Sequence, residues 1–275
     1  MKLQILLNTI KNIVPNDMTV TSQSVQKGSL TLTGISIGKG DIRPVVYMEY
    51  YEDVFREKGY LGVAREMVEL SQNFSNVYDI DVENMTDWNY AKEHLILCVS
   101  PAGTNRDLTI PYLDLELYFR VDTSQATYTV TENMRETWNV TKEELLEISE
   151  KNEYKIADMR DTLMNYLVDS GATDDEIAEV MAGQSFGVTI TNSAEHYGAS
   201  AIYCKELLKF IADQYESDIY IIPSSVHEIL IHPIGIASKE DMDAMVKSVN
   251  SESVNPEDRL ANHVYIFKRD GSWEY

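Results

Sequence analysis

Basic side chains are scarce. The 275 residues include 23 Lys and Arg against 45 Asp and Glu, a formal charge of −22. Such a field repels nucleic-acid phosphates and anionic bilayers, which argues against direct binding to either, and it attracts a basic protein surface. Cysteine is rarer still. Cys98 and Cys204 sit in the apolar runs LILCVS and AIYCKELL, a setting for buried free thiols in a reducing cytoplasm rather than for a disulfide framework. No apolar run is long enough to cross a bilayer. A secretory leader is not expected either, because Gln4, Asn8, Lys11 and Asn12 interrupt the N-terminal apolar stretch and no small-residue cleavage site follows. Internal repeats and low-complexity linkers are absent as well.

What is present is the composition of a globular chain, 44% hydrophobic and 25% charged. Leu3, Leu6, Leu7 and Ile10 trace one face of a helix that stops before Pro15. Met18 to Val25 and Ser29 to Ile37 predict a hairpin about Lys27-Gly28, and Pro44 to Met48 a further strand. Helical spacing covers Tyr51 to Leu70, punctuated by Gly59 and Gly62, and Ser71 to Asp87 reads as loop or short helix. Trp88 to Val99 fits both helix and strand. Tyr112 to Val121 alternates as one strand, with Asp114 and Glu116 on a common face, and Thr127 to Thr131 is its expected partner.

Residues 132 to 183 hold fourteen acids against five bases, which reads as two or three solvated helices broken at Asp169-Ser170-Gly171. Thr141 followed by Glu144 is a capping-box start to one of them. Phe186 to Thr191 predicts a strand, Ala201 to Tyr215 a helix with Cys204 on its apolar face, and Asp218 to Ile222 and Val226 to His232 two strands joined by turn chemistry at Pro223-Ser224-Ser225. Ser238 caps a helix, and VYIFK supplies a last strand. The fold class is α+β with mostly antiparallel sheets, a strand-helix-strand-strand C-terminal block and an acidic helical region. An N-terminal α+β lobe over 1–125 and a helical segment plus strand-helix-hairpin lobe over 126–275 is the expected division, which one continuous domain would also accommodate.

Chemistry-bearing patterns are thin. Ser224, Ser225, His227 and Glu228 bring a hydroxyl, an imidazole and a carboxylate close in sequence, as nucleophilic catalysis needs. On a strand, however, His227 and Glu228 face opposite ways, and no G-x-S-x-G elbow is present. His227, Glu228 and His232 are one residue too widely spaced for the helical zinc motif. Asp114 and Glu116 lack the lysine that commonly follows paired nuclease carboxylates. Asp79, Asp81 and Glu83 lack the glycine and ligand spacing of a calcium loop. No catalytic residue, metal ligand or cofactor is therefore assigned.

Several stretches resemble one family throughout: RPVVYMEYYEDVFREKG, YLDLELYFRV, TYTVTENMRETWNVTKEELLEIS and above all VTITNSAEHYGASAIYCKELLKFIADQYESDIYIIPSSVHEIL. They are similar to the clostridial domain-of-unknown-function family five-six-eight-eight and, more distantly, to the bacillar YtpQ family. The resemblance covers nearly the whole chain. It implies a bacterial cytoplasmic protein, often carried by gut anaerobes and their mobile elements, and it implies no activity. It marks Asn192, Pro223, Ser224, Ser225, His227 and Glu228 as a family-signature turn with a structural role.

Three functional readings follow. The leading one is a non-enzymatic acidic cytoplasmic binding protein, of mobile-element accessory or anti-defence, DNA-mimic type, engaging a basic protein partner. Glu143, Glu144, Glu147 and Glu150 are its candidate contacts. The second is a hydrolase using the Ser224/Ser225/His227 turn. The third is a housekeeping domain whose acidity serves solubility alone.

Overall fold

The computed structural model describes residues 1–27, 30–39, 43–77, 87–104, 106–123, 127–150, 154–181 and 186–275. The Lys27-Gly28 turn tip and the acids Asp79, Asp81 and Glu83 therefore lie outside the described residues, in part or whole. Helices and antiparallel sheets alternate along the chain, which is an α+β fold. They gather into two compact units, one of Met1–His94 with Asp122–Tyr128 and one of Leu95–Val121 with Thr129–Tyr275.

The first unit is built on a three-stranded sheet, β1 (Thr19–Lys27), β2 (Leu30–Gly38) and β3 (Val45–Tyr47), in that spatial order. Helix α1 (Leu3–Ile13) lays Leu6, Leu7 and Ile10 against Ile35, Ile37 and Val46. Helix α2 (Glu52–Val77) closes the same core with Val63, Ala64 and Met67. Gly59 breaks it at φ 63°, a conformation that glycine adopts without steric cost. The helix runs seven residues past Leu70 because nothing in Ser71–Val77 is a breaker. A single turn, α3 (Trp88–Ala91), follows and is capped by the Asp87 carboxylate accepting from the Asn89 and Tyr90 amides. The ambiguous stretch from Trp88 to Val99 thus divides, its second half being strand.

Two sheets shape the second unit. The smaller contains β4 (Leu95–Pro101), β6 (Leu115–Asp122) and β5 (Ile110–Tyr112) in that order; β7 (Thr127–Thr129), which pairs β6, spans the chain boundary of the two units at Tyr128. The larger has six antiparallel strands in the order β13-β12-β10-β11-β9-β8. These are β8 (Tyr154–Asp158), β9 (Val188–Asn192), β10 (Ile219–Ser225), β11 (Glu228–Pro233), β12 (Tyr265–Phe267) and β13 (Trp273–Glu274). In β10, Ile219 and Ile221 are buried on one face and Tyr220 and Ile222 on the other. A strand covered on both sides has no reason to alternate, hence the unbroken IYII run.

The described residues of the acidic region form four helices rather than two or three. They are α4 (Glu132–Trp138), α5 (Lys142–Ser149), α6 (Met159–Asp169) and α7 (Asp174–Met181). Between α5 and α6 runs the edge strand β8, which the sequence does not announce because Lys155 to Asp158 are all exposed. The capping box on α5 is present: Glu144 N donates to Thr141 Oγ1 at 3.1 Å and Thr141 N to Glu144 Oε2 at 2.7 Å. Helix α8 (Lys205–Gln214) buries Leu208, Ile211 and Ala212. Helix α9 (Lys239–Glu252), capped by Ser238, packs Met242 and Val246 on Tyr220, Ile222 and Ile266.

Three expectations need correcting. First, Tyr112 to Val121 is not one strand. Tyr112 pairs with Leu115, so Leu113 and Asp114 form a two-residue turn, with Leu113 at φ 54°. Second, Ala201 to Tyr215 is not one helix. Gly198–Tyr203 forms a 3-10 segment, and Cys204 sits at the junction with non-helical angles, half-buried rather than on the apolar helix face. Third, Pro223, Ser224 and Ser225 do not make the turn. They extend β10 through a register shift between Ile222 and Ser225, and the chain reverses at Val226-His227. A proline has no amide for the ladder and is accommodated at such a bulge. The reversal is fixed instead by the His227 amide donating to Ser225 Oγ at 3.1 Å and the Val226 amide donating to the Asp258 carbonyl at 2.9 Å.

Candidate functional site

Asn192 and the β10–β11 turn meet at the loop that follows β9. Asn192 ends β9, and its buried side chain organises the loop that follows. Asn192 Oδ1 accepts from the Ala194 and His196 amides at 3.1 and 3.0 Å, and Nδ2 donates to the His196 carbonyl at 2.5 Å. Glu195 and Tyr197 both adopt positive φ, which costs a non-glycine residue energy that neighbouring contacts must offset. Those contacts come from the β10–β11 turn. The His227 carbonyl accepts from the Gly198 amide at 3.0 Å and from Thr191 Oγ1 at 2.8 Å. His196 stacks on His227, ring centroids 4.9 Å apart, and the Arg120 guanidinium lies 4.8 Å from the Tyr197 ring centre.

This arrangement commits His227. The Tyr197 amide donates to His227 Nδ1 at 3.3 Å, so the neutral ring keeps its proton on Nε2, which faces Asp258 Oδ1 at 3.6 Å. Its basic nitrogen is occupied, and Ser225 Oγ is turned to the His227 amide of its own turn. A serine–histidine pair for nucleophilic attack needs that nitrogen free to take the hydroxyl proton. His227 belongs to the turn, not to a sheet face. Pro223 is buried, Glu228 opens β11, and the Ser224 side chain lies outside the described residues.

The other candidates separate in space. Asp114, in its turn, accepts from Tyr265 Oη at 2.6 Å and from His263 Nε2 at 2.8 Å. Partial burial pushes its pKa up, but those two bonds outweigh it and hold the carboxyl below its ordinary range. Glu116 is buried elsewhere, bound to Arg106, Ser100, Thr104 and the Gly103 amide. The two acids therefore share no face. His232 packs over Gly187, at which a Cβ would come within 2.9 Å of the imidazole, and burial pulls the His232 pKa down. No group of three or more His, Cys, Asp or Glu side chains is placed to hold a metal ion among the described residues. Among them, too, no helix is long and apolar enough to cross a membrane.

Glu143, Glu144, Glu147 and Glu150 are all exposed. Glu144 is engaged in the capping box, whereas Glu143, Glu147 and Glu150 fall at i, i+4 and i+7 and form one stripe along α5. The stripe leads to a concavity that sequence reasoning missed. Glu150, at the C-terminal end of α5, borders a cleft of about 440 Å³. Leu97 floors it, Tyr112, Tyr154 and Tyr203 supply its walls, and Lys205 and Glu206 from the first turn of α8 complete the rim with Cys204. Its size is that of a small-ligand site.

The tyrosine hydroxyls are largely committed to the protein. Tyr112 Oη donates to the Ile202 carbonyl at 3.2 Å, and Tyr154 Oη is 3.1 Å from Ser200 Oγ. Burial raises the pKa of all three, Tyr154 to about 12, and at Tyr203 the Glu150 carboxylate adds to the rise. The phenols are therefore neutral at ordinary pH, and among the described residues the formal charge of the lining comes from two carboxylates and one ammonium. The walls arise from β5, β8 and the 3-10 segment, elements far apart in sequence, so no local spacing could have revealed them.

No curated protein and no solved structure matches the sequence. A model for a family of unknown function, DUF5688, matches residues 3–269. That match spans nearly the whole chain, both compact units and the Asn192–His227 junction included, and the chain belongs to the DUF5688 family.

Proposed function

We propose that the chain is a non-enzymatic binding protein that engages a basic protein partner through its carboxylates. The observation that carries this reading is the continuity of the exposed stripe Glu143-Glu147-Glu150 with the cleft that Glu150 borders. Like charges four apart destabilise a helix slightly, and a partner's cations would relieve that repulsion. The rest of the surface assists, since a charge of −22 steers a basic partner over long range. Hydrolysis through Ser224, Ser225 and His227 has no comparable support, because the ring nitrogen that would act as base already accepts the Tyr197 amide.

A charge-matched pair of variants tests the proposal with pentalysine as the probe. Glu143→Gln/Glu147→Gln/Glu150→Gln and Asp169→Asn/Asp175→Asn/Glu179→Gln each remove three negative charges. A diffuse field would be weakened equally by both. The α5 variant is expected to lose roughly tenfold in affinity at low salt, with a slower on-rate, and the α6–α7 variant far less. The difference should shrink as salt approaches 0.15 M, where the screening length is about 8 Å. Equal losses in the two variants would mean that α5 is only a solvated face.

A further inference from the structure

We propose that the cleft bordered by Glu150 is a binding site for an organic cation, a protonated amine or a guanidinium. This rests on the binding reading above and adds the class of group that the site accepts.

Three observations carry it. The lining is aromatic: Tyr112, Tyr154 and Tyr203 border the cleft, and Tyr112 and Tyr203 meet edge to face with centroids 5.0 Å apart. Aromatic faces attract cations through their quadrupole, and cages of aromatic rings serve ammonium ligands in this way. The Tyr112 and Tyr154 hydroxyls are bound to the Ile202 carbonyl and to Ser200, so these two rings contribute surface more than polar hydrogens. Among the described residues the lining carries Glu150 and Glu206 against Lys205, and a concave site with an excess of one sign of charge concentrates counter-ions. An anion would meet two carboxylates, and a neutral apolar ligand would leave both unused. The volume, about 440 Å³, holds a side chain the size of lysine or arginine with room to spare. Two sources could present such a group: a free amine, or a basic side chain of the partner that docks along α5.

The experiment titrates the full chain, carrying isotope-labelled tyrosine, with n-butylammonium, n-butanol, butyrate and pentalysine, and follows the Tyr112, Tyr154 and Tyr203 ring signals. Butylammonium is expected to shift all three, with butanol and butyrate at least tenfold weaker. Glu150→Gln/Glu206→Gln should weaken butylammonium at least tenfold. Lys205→Gln should tighten it several-fold, the opposite of what an anion site would show. If the free amine alone moves these rings, the ligand is a small amine. If pentalysine moves them and displaces butylammonium, a partner's side chain is the source. Equal binding of butanol, or butyrate binding that depends on Lys205, would overturn the assignment. So would rings that no cation moves, even where pentalysine binding still depends on Glu143 and Glu147, in which case the binding reading stands and the cleft assignment falls. Loss of that dependence with butylammonium still bound would leave the cleft assignment standing and remove the α5 reading.

Discussion

Glu116→Ala is expected to lower stability by about 3–5 kcal/mol, the range for removing one partner of a buried ion pair. The Glu116 and Arg106 side chains are each 9% exposed. Glu116 accepts from Ser100 Oγ at 3.3 Å, from the Gly103 amide at 3.2 Å and from Thr104 Oγ1, while Arg106 Nη1 lies 3.5 Å from its carboxylate. The guanidinium rests over the Tyr118 ring, 4.0 Å from its centre. Alanine would leave a guanidinium in the interior with, among the described residues, the Ser100 and Thr104 hydroxyls as acceptors, and it would strip the Gly103 amide of its Glu116 partner. Glu116→Gln keeps an acceptor and loses the charge, so its cost should fall between wild type and alanine. Arg106→Met/Glu116→Leu should lose less than Glu116→Ala, since no buried charge is then left alone. Urea unfolding followed by tryptophan fluorescence measures all three. An alanine variant within 1 kcal/mol of wild type would mean that water reaches the pair.

Gly198→Ala is expected to be nearly as damaging, at the upper end of the roughly 1–3 kcal/mol typical of overpacking or beyond it. A Cβ on Gly198 would lie 2.4 Å from the Asn192 amide nitrogen and 2.6 Å from Thr191 Cα. These are backbone atoms that no rotamer change can move. Relief would require the 3-10 segment to lift from β9, and with it the Gly198 amide from the His227 carbonyl. Two of the residues that border the cleft go with it, since Tyr203 ends this segment and Cys204 follows directly. Gly198→Ala should therefore weaken butylammonium binding even at temperatures where the protein remains folded. A variant with an unchanged unfolding midpoint would contradict the close approach of loop and strand.

Much of the fold can be read in the sequence where local chemistry decides it. The face of α1, the β1–β2 hairpin, the capping box at Thr141 and the cap at Ser238 each depend on residues within a few positions of one another. What cannot be read depends on partners far along the chain. Leu113 and Asp114 alternate like strand residues, and the turn there is held by His263 and Tyr265, roughly 150 residues later. Val226-His227 becomes the turn in place of the proline and serines because Asp258 accepts the Val226 amide. Strand β8 leaves no alternating pattern, because every residue after Tyr154 is exposed. Of the site, the α5 carboxylates were visible as a charge pattern. The tyrosines of the cleft were not, because an isolated tyrosine in β5, in β8 or after Ile202 looks like any amphipathic core residue.

Hydrogen exchange of the chain with and without bound pentalysine tests the binding reading most directly. Binding through the stripe and the cleft should slow exchange along Lys142–Ser149 and around Ile202–Glu206, and leave Met159–Met181 unaffected although it too is rich in exposed acids. Protection spread evenly over the acidic helices, or confined to Met159–Met181, would contradict it.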